Sequence, residues 1–257
     1  MHTPSLPRLI THSATLALAT TATHAASITW GAATNINPVG GAASDLDVST
    51  AGTFFGALHF ASQATNTTVN GVTFTGIDPG LFTANTITSG NFTLATVNPA
   101  NTFFSRDSAS AAAPYTTLSA SYQSLLAGFL SFEVDFPPTM TLTMNNLVAG
   151  ATYQFEWWSD WSDRTFTVPT TATAGNAVTL QSNPSMLDGG LGQFALGTFV
   201  ADATRRQDIT FTINKNVNSG PNAFQLRQLA PPTVPEPGTA LFGLALLGLA
   251  LARRARK

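Results

Sequence analysis

Apolar and polar residues alternate one by one in several segments of the chain, which is the period of a half-buried β-strand. The clearest case is residues 139–144, where Met140, Leu142 and Met144 share one face and threonines occupy the other. The same pattern recurs in residues 54–60, 67–75, 91–96, 152–157, 193–200, 209–213 and 223–227. Turn residues separate these segments. The pattern therefore predicts an all-β protein, a two-layer β-sandwich.

One segment has helical spacing instead. Leu118, Tyr122, Leu125, Leu126 and Phe129 recur at intervals of three and four residues, and Gly128 follows as a stop signal. This spacing predicts one short helix, which we expect to cap an open end of the β core.

The end of the chain combines a proline-rich turn, an apolar run at residues 239–252 and a basic terminus that begins with Arg253 and Arg254. As a helix, this run would extend about 21 Å, whereas the hydrocarbon core of a bilayer is about 30 Å thick. The two arginines can keep their charges among the lipid headgroups, on the cytoplasmic side. The pattern predicts a transmembrane helix. The alternative is a helix packed on the protein's own core, but the run has no polar face.

This tail resembles the PEP-CTERM sorting signal of Gram-negative bacteria. The resemblance covers residues 234–257 and depends on the apolar run, the basic end and a turn of five residues: Val234, Pro235, Glu236, Pro237 and Gly238. It implies recognition by an exosortase, a membrane enzyme that removes the tail, and export to the cell surface. It also implies a role alongside exopolysaccharide in a biofilm.

The amino terminus predicts a matching export signal. Arg8 is the only basic residue before an Ala/Leu/Thr-rich run at residues 14–22, and Thr23 and Ala25 are small residues at positions −3 and −1 of a cleavage site. We expect signal peptidase to cut between Ala25 and Ala26. The predicted organisation is therefore a signal peptide at residues 1–25, a β-sandwich domain at 26–230 and a sorting signal at 231–257.

Removal of both ends would make the protein more acidic than its formal charge of −2 suggests. Five of the 11 basic residues lie in the two end segments, whereas Glu236 is the one of the 13 acidic residues that does. An acidic body argues against nucleic acid as a partner. The chain has no cysteine, which excludes disulfides and thiolate chemistry.

A second resemblance covers much of the body, at residues 28–31, 44–50, 68–74, 142–153, 163–164 and 220–227. These segments resemble an uncharacterised group of exported proteins with the same tail. That group implies a jelly-roll sandwich akin to galactose-binding-like domains. It implies no activity, and residues 156–164 depart from its usual pattern.

Residues 156–164 are rich in tryptophan and charge. Trp157, Trp158 and Trp161 stand among Glu156, Asp160, Asp163 and Arg164, a composition that suits stacking on sugar rings and hydrogen bonding to hydroxyl groups. The possible glycan-binding residues are therefore Trp158, Asp160, Trp161 and Arg164. In the alternative interpretation, Trp157 points into the core, Trp158 is half exposed, Trp161 anchors the loop, and the charged residues form a turn with a surface ion pair.

Asp45 and Asp47 could supply oxygen ligands to Ca²⁺. The further carboxylates of an EF-hand loop are missing, so a solvated loop is the alternative, and no cofactor is otherwise expected. Catalysis has little support in the sequence. Glu133 and Asp135 could form an acid/base pair on one strand face, but any amphipathic strand shows that spacing.

Together these patterns predict an exported, exosortase-sorted surface or matrix protein with a structural or interaction role and no catalytic activity. The alternative is a carbohydrate-binding module that uses Trp157, Trp158 and Trp161. A glycan-active enzyme is the third hypothesis. Expected partners are signal peptidase, an exosortase, the membrane before processing, and extracellular polysaccharide.

Overall fold

The computed structural model describes residues 26–61, 63–78, 84–98, 101–132, 138–213 and 219–231. The predicted signal peptide, the sorting residues 234–238, the apolar run at 239–252 and the basic end with Arg253 and Arg254 lie outside the described residues, as do Glu133 and Asp135. No helix within the described ranges is long and apolar enough to span a membrane.

The larger of the two main sheets has eight strands. They are Thr29–Trp30 (β1), Thr34–Asn35 (β2), Thr53–Phe60 (β3), Thr67–Val69 (β4), Val72–Ile77 (β5), Thr152–Ser159 (β11), Gln193–Val200 (β14) and Ala223–Ala230 (β16). Their order is β1-β14-β11-β16-β3-β5-β4, with β2 also paired to β14. The pairing of β3 with β5 is parallel.

The second sheet has six strands, and a separate hairpin is the remaining β structure of the described residues. The six strands are Thr86–Ser89 (β6), Phe92–Thr96 (β7), Thr139–Met144 (β10), Pro169–Ala174 (β12), Asn176–Gln181 (β13) and Gln207–Ile213 (β15), in the order β13-β12-β15-β10-β7-β6. The hairpin pairs Phe103–Asp107 (β8) with Gly128–Phe132 (β9).

In the described part of the chain, three short helices lie between strands: Gly41–Asp45 (α1), a 3₁₀ helix at Tyr115–Thr117, and Ala120–Leu126 (α2). Ser119 caps α2 by accepting a hydrogen bond from the backbone N–H of Tyr122, the usual way in which serine begins a helix.

The two sheets face each other across the main core. Alternate residues of each strand point to the same side, so one face of each sheet supplies the side chains of this core. Trp157 of β11 meets Phe211 of β15 edge to face at 5.0 Å between ring centroids. Phe224 of β16 contacts Phe92 of β7 at 5.3 Å. Met140, Leu142 and Met144 are all buried in this core, as their spacing predicts. The predicted sandwich-like, mostly β fold is confirmed.

A second apolar cluster, here called the outer cluster, lies on the opposite face of the larger sheet. The sheet contributes Trp158, Phe194 and Ala223, and α2 covers them with Tyr122, Leu125 and Leu126. The predicted helix therefore exists but does not cap an open end between the sheets. It ends at Leu126, and Phe129 of the predicted pattern lies in β9, in the main core.

The predicted strand segments coincide with strands of the structure, but alternation does not always show which face of a strand is buried in the main core. Asn70 and Gly71 form the tight turn between β4 and β5, with φ values of 47° and 73°. In β14, however, Ala195 and Phe199 face the main core, whereas Leu196 packs against the outer cluster and Val200 is exposed. Apart from Val200, both faces of β14 carry apolar residues packed in a core, so alternation alone does not show which face lies between the sheets.

Candidate functional site

The tryptophan-rich segment begins on β11, which runs between β14 and β16 in the larger sheet. Tyr153, Phe155 and Trp157 point into the main core, and Glu156 and Trp158 point to the opposite face. Trp157 thus lies where the core interpretation predicts it. Residues 155–162 are all buried, so this segment is not a rim.

Trp158 is fully enclosed in the outer cluster. Its ring lies edge to face on Phe74 at 5.7 Å and is stacked on Phe194 at 6.4 Å. Its Nε1–H donates to the Tyr122 hydroxyl at 3.2 Å, and that hydroxyl lies 3.5 Å from Oδ2 of Asp47. The expectation that Trp158 is half exposed is therefore wrong, because α2 covers this face of the sheet.

Trp161 belongs to the main core and is only 3% exposed. It packs on Phe129 at 4.9 Å and on Phe166 at 5.3 Å, with the guanidinium groups of Arg106 and Arg164 over its ring at 5.6 and 5.4 Å. These contacts fit the loop-anchoring interpretation. Trp158 and Trp161 lie in different cores, so the fold does not bring them together on one surface, and neither ring has an open face for a sugar.

The charged residues of the segment divide into a buried and a surface group. Arg164 and Asp163 form the predicted ion pair, at 3.1 Å. Asp160 is fully buried instead, and its Oδ1 accepts from the backbone N–H of Gly192 at 2.7 Å. Burial raises the pKa of Asp160 to about 8. Its carboxyl group is therefore part of the interior and offers nothing to a ligand.

Asn222 connects Asp160 to the neighbouring elements. Its Oδ1 accepts from the backbone N–H of Asp160 at 2.5 Å, and its Nδ2 lies 3.0 Å from the carbonyl oxygens of Leu126 and Gly128. One side chain thus joins the end of β11 to the end of α2 and the start of β9.

Glu156 lies under residues 46–52, which we call the covering loop. Its Oε2 accepts from the backbone N–H of Ser49 at 3.0 Å and from the side-chain amide of Gln225. Gln225 also donates to the Ser49 carbonyl at 2.9 Å, and the Ser49 hydroxyl donates to Gln154. Burial raises the pKa of Glu156 to about 8. Near pH 7 the carboxyl group of Glu156 is therefore neutral, and in this form it holds the covering loop.

The two carboxylates proposed for calcium are used in local hydrogen bonds. Asp45 accepts from the Ser119 hydroxyl at 2.6 Å, next to the start of α2. Asp47 accepts from the backbone N–H of Asn37 at 2.7 Å, and burial raises its pKa. In the part of the chain that the structure describes, no three His, Asp or Glu side chains form a group that could hold a metal.

Sequence reasoning did not single out Glu156, Gln225 and Arg227 as one unit. Each is polar and lies on a strand whose other face is apolar, which looks the same in sequence as a strand face open to water. One sequence pattern could have pointed to this unit. Both β11 and β16 carry polar residues in strands that are otherwise as apolar as buried strands, and Ser49 and Thr50 lie opposite them.

The described residues thus form a mostly β sandwich protein with two apolar cores, and the remaining carboxyl end carries a sorting signal. Residues 233–257 match the PEP-CTERM protein-sorting motif, so the predicted resemblance of the tail is confirmed. This motif indicates an exported protein that is sorted by an exosortase and is held in the membrane before processing.

No curated protein matches the chain. The enzymatically active domain of tailspike protein 4 of bacteriophage CBA120 has 16% identity and a TM-score of 0.30, over 60% of this chain and 22% of that chain. A carbohydrate-binding module of the β-sandwich superfamily has 13% identity and a TM-score of 0.23, over 63% of this chain and 69% of that chain. The chain spans about a fifth of the tailspike structure, and at these TM-scores neither likeness bears on function.

Proposed function

We propose that this protein is exported, processed by an exosortase, and then acts at the cell surface or in the extracellular matrix, in association with exopolysaccharide. The observation that carries the proposal is the PEP-CTERM motif at residues 233–257, directly after the last strand ends at Ala230. In this arrangement a signal peptide ends at Ala25, and the processed body keeps the complete sandwich from β1 to β16.

We further propose a structural or interaction role without catalysis. Among the described residues, the carboxyl groups with strongly raised pKa values are Glu156 and Asp160. Such shifts also occur at catalytic acids. Here both groups are fully buried and are engaged with backbone N–H groups of the covering loop and of Gly192, which supports a structural role.

Processing at the tail can be tested in a host that has an exosortase. The full chain and a variant with Pro235→Ala, Glu236→Ala and Pro237→Ala are produced, and cell fractions are compared by size and by mass spectrometry. We expect the unaltered chain outside the inner membrane with both ends removed. The variant should lose only the signal peptide and stay in the membrane fraction.

A host without exosortase is the matched control, and there the unaltered chain should behave like the variant. Full-length chain in the cytosol, or identical processing of chain and variant, would contradict the proposal.

A further inference from the structure

A cleft of about 350 Å³ lies where β3 and β5 diverge. The parallel pairing joins residues 58–60 to residues 75–77 and does not continue towards the start of β3. The same register would place Phe54 opposite Gly71, and the cleft occupies this gap. Its lining consists of Thr50, Phe54, Gly71, Val72, Thr73 and Arg227. No acidic side chain is among them.

Phe54 separates this cleft from a second one of about 320 Å³, which shares Phe54 and Thr73 and reaches Asn91. The Phe54 side chain is 48% exposed, unlike the buried rings of both cores. An aromatic ring between two clefts is thus accessible to a ligand, whereas the rings of Trp158 and Trp161 are not.

Arg227 forms no ion pair with a described residue, although its charge interacts electrostatically with the Glu156 carboxyl group. Its Nε donates to the Ala51 carbonyl at 2.6 Å, and its Nη2 donates to the carbonyls of Thr50 and Gly52 at 3.0 Å each. Within the described ranges, Nη1 makes no hydrogen bond and the ion pairs are those of Arg164 and Arg206. The residue is nevertheless only 7% exposed.

A guanidinium group that is nearly buried without a counter-charge destabilises the fold. An oxyanion can supply that charge and accept short, charge-assisted hydrogen bonds. Glu156 does not supply that charge near pH 7, because burial raises its pKa to about 8 and its carboxyl group is therefore neutral, with Oε2 hydrogen-bonded to Ser49 and Gln225. The cleft at Arg227 therefore presents one positive charge next to the exposed ring of Phe54, with the guanidinium carbon over the ring at 5.9 Å from its centroid.

We propose that this cleft binds the carboxylate of a sugar acid, with Arg227 Nη1 as the donor and Phe54 against the sugar ring. The C–H groups of a sugar ring carry partial positive charge, which favours contact with the negative face of an aromatic ring. One cation in an acidic protein suits a single uronate unit better than a densely charged polymer. The inference rests on the proposed function only for the source of the sugar, an extracellular polysaccharide.

Calorimetric titration of the purified full-length chain with glucuronate, glucose and acetate tests the site. We expect glucuronate to bind about tenfold more tightly than glucose, which lacks the carboxylate, because a hydrogen bond to a charged group contributes roughly that factor. Acetate should also bind more weakly, because it offers no ring to Phe54. Equal affinity for glucuronate and glucose would refute the role of Arg227, and equal affinity for glucuronate and acetate would refute that of Phe54.

Thr73 allows a matched pair of variants, because its side chain is exposed and lines the cleft. Thr73→Glu places a carboxylate beside Arg227 and should weaken glucuronate binding at least about tenfold, since it competes for the same donor. Glutamine has nearly the same shape as glutamate but no charge, so Thr73→Gln should weaken glucuronate binding less than Thr73→Glu does. Equal losses in the two variants would overturn the proposal.

Phe54→Ala should weaken binding of glucuronate and leave binding of acetate unchanged. Equal weakening of both ligands would contradict the stacking contact. These measurements use purified protein, so they can fail while export and processing succeed. Conversely, they can succeed in a chain that the host does not process.

Discussion

The main core and the outer cluster lie on opposite faces of the same sheet but are stabilised in different ways. Between the sheets, aromatic rings pack on other aromatic rings, such as Trp157 on Phe211 and Phe224 on Phe155. On the outer face, Trp158 donates to Tyr122, which lies beside Asp47, and Glu156 is bonded to the covering loop. The main core therefore depends on apolar area, whereas the outer face also depends on exact hydrogen bonds and on protonation.

This difference affects how each region responds to change. Loss of apolar area leaves a cavity whose effect does not vary with pH. A buried carboxyl group is stable only while it is neutral or well paired. Substitutions in the two regions should therefore differ in magnitude and in pH dependence.

The largest expected effect is that of Trp157→Ala in the main core. The substitution removes a fully buried ring that contacts Phe211, and it should lower the free energy of unfolding by about 3–5 kcal/mol. Denaturant unfolding followed by circular dichroism measures this. Leu187→Ala is the control, because Leu187 is 64% exposed and its loss should change stability by no more than about 0.5 kcal/mol. Similar losses for both variants would mean that Trp157 does not lie in a packed core.

The second prediction concerns the pH dependence conferred by Glu156. Burial raises the pKa of Glu156 to about 8 in the folded protein, whereas the ordinary pKa of a glutamate is 4.5. Its contribution to stability is therefore complete below about pH 4.5, decreases as pH rises, and is lost at about pH 8. Glu156→Gln should remove this part of the slope, which is at most about 1.4 kcal/mol per pH unit for one proton. Asp160 should contribute a slope of the same sign, because its pKa is also raised to about 8.

Unfolding free energies at pH 5, 7 and 9 test the second prediction. The variant should become relatively more stable than the unaltered chain as pH increases. Trp157→Phe is the control, because it changes the main core and no titrating group, and its effect should be constant with pH. A slope that is the same in Glu156→Gln and in the unaltered chain would show that Glu156 is not a buried neutral acid.

The sequence predicts the main core well, because strands such as residues 139–144 and 209–213 have one apolar face that is buried as the period requires. It does not predict the outer cluster, since Trp158 and Phe194 lie on strands covered on both sides and alternation carries no information there. Nor does it locate the cleft at Arg227, which arises from the divergence of β3 and β5 and from three carbonyl groups of the covering loop. Every residue has a backbone carbonyl group, so contacts to such groups leave no pattern in the amino-acid sequence.

The smallest expected effect compares the two adjacent tryptophans directly. Trp157 and Trp158 are both fully buried, but Nε1 of Trp157 has no hydrogen-bond partner among the described residues, whereas Nε1 of Trp158 donates to Tyr122. Replacement of either by phenylalanine removes a similar apolar area. Only Trp158→Phe breaks a buried hydrogen bond, so it should destabilise the protein by about 1 kcal/mol more than Trp157→Phe. When Tyr122→Phe is added to each of the two variants, the difference in stability between them should disappear, since the hydrogen bond to Tyr122 is then absent from both. If the two phenylalanine variants are equally stable, the polar contacts of the outer cluster contribute no net stability, and the two faces of the sheet differ only in shape.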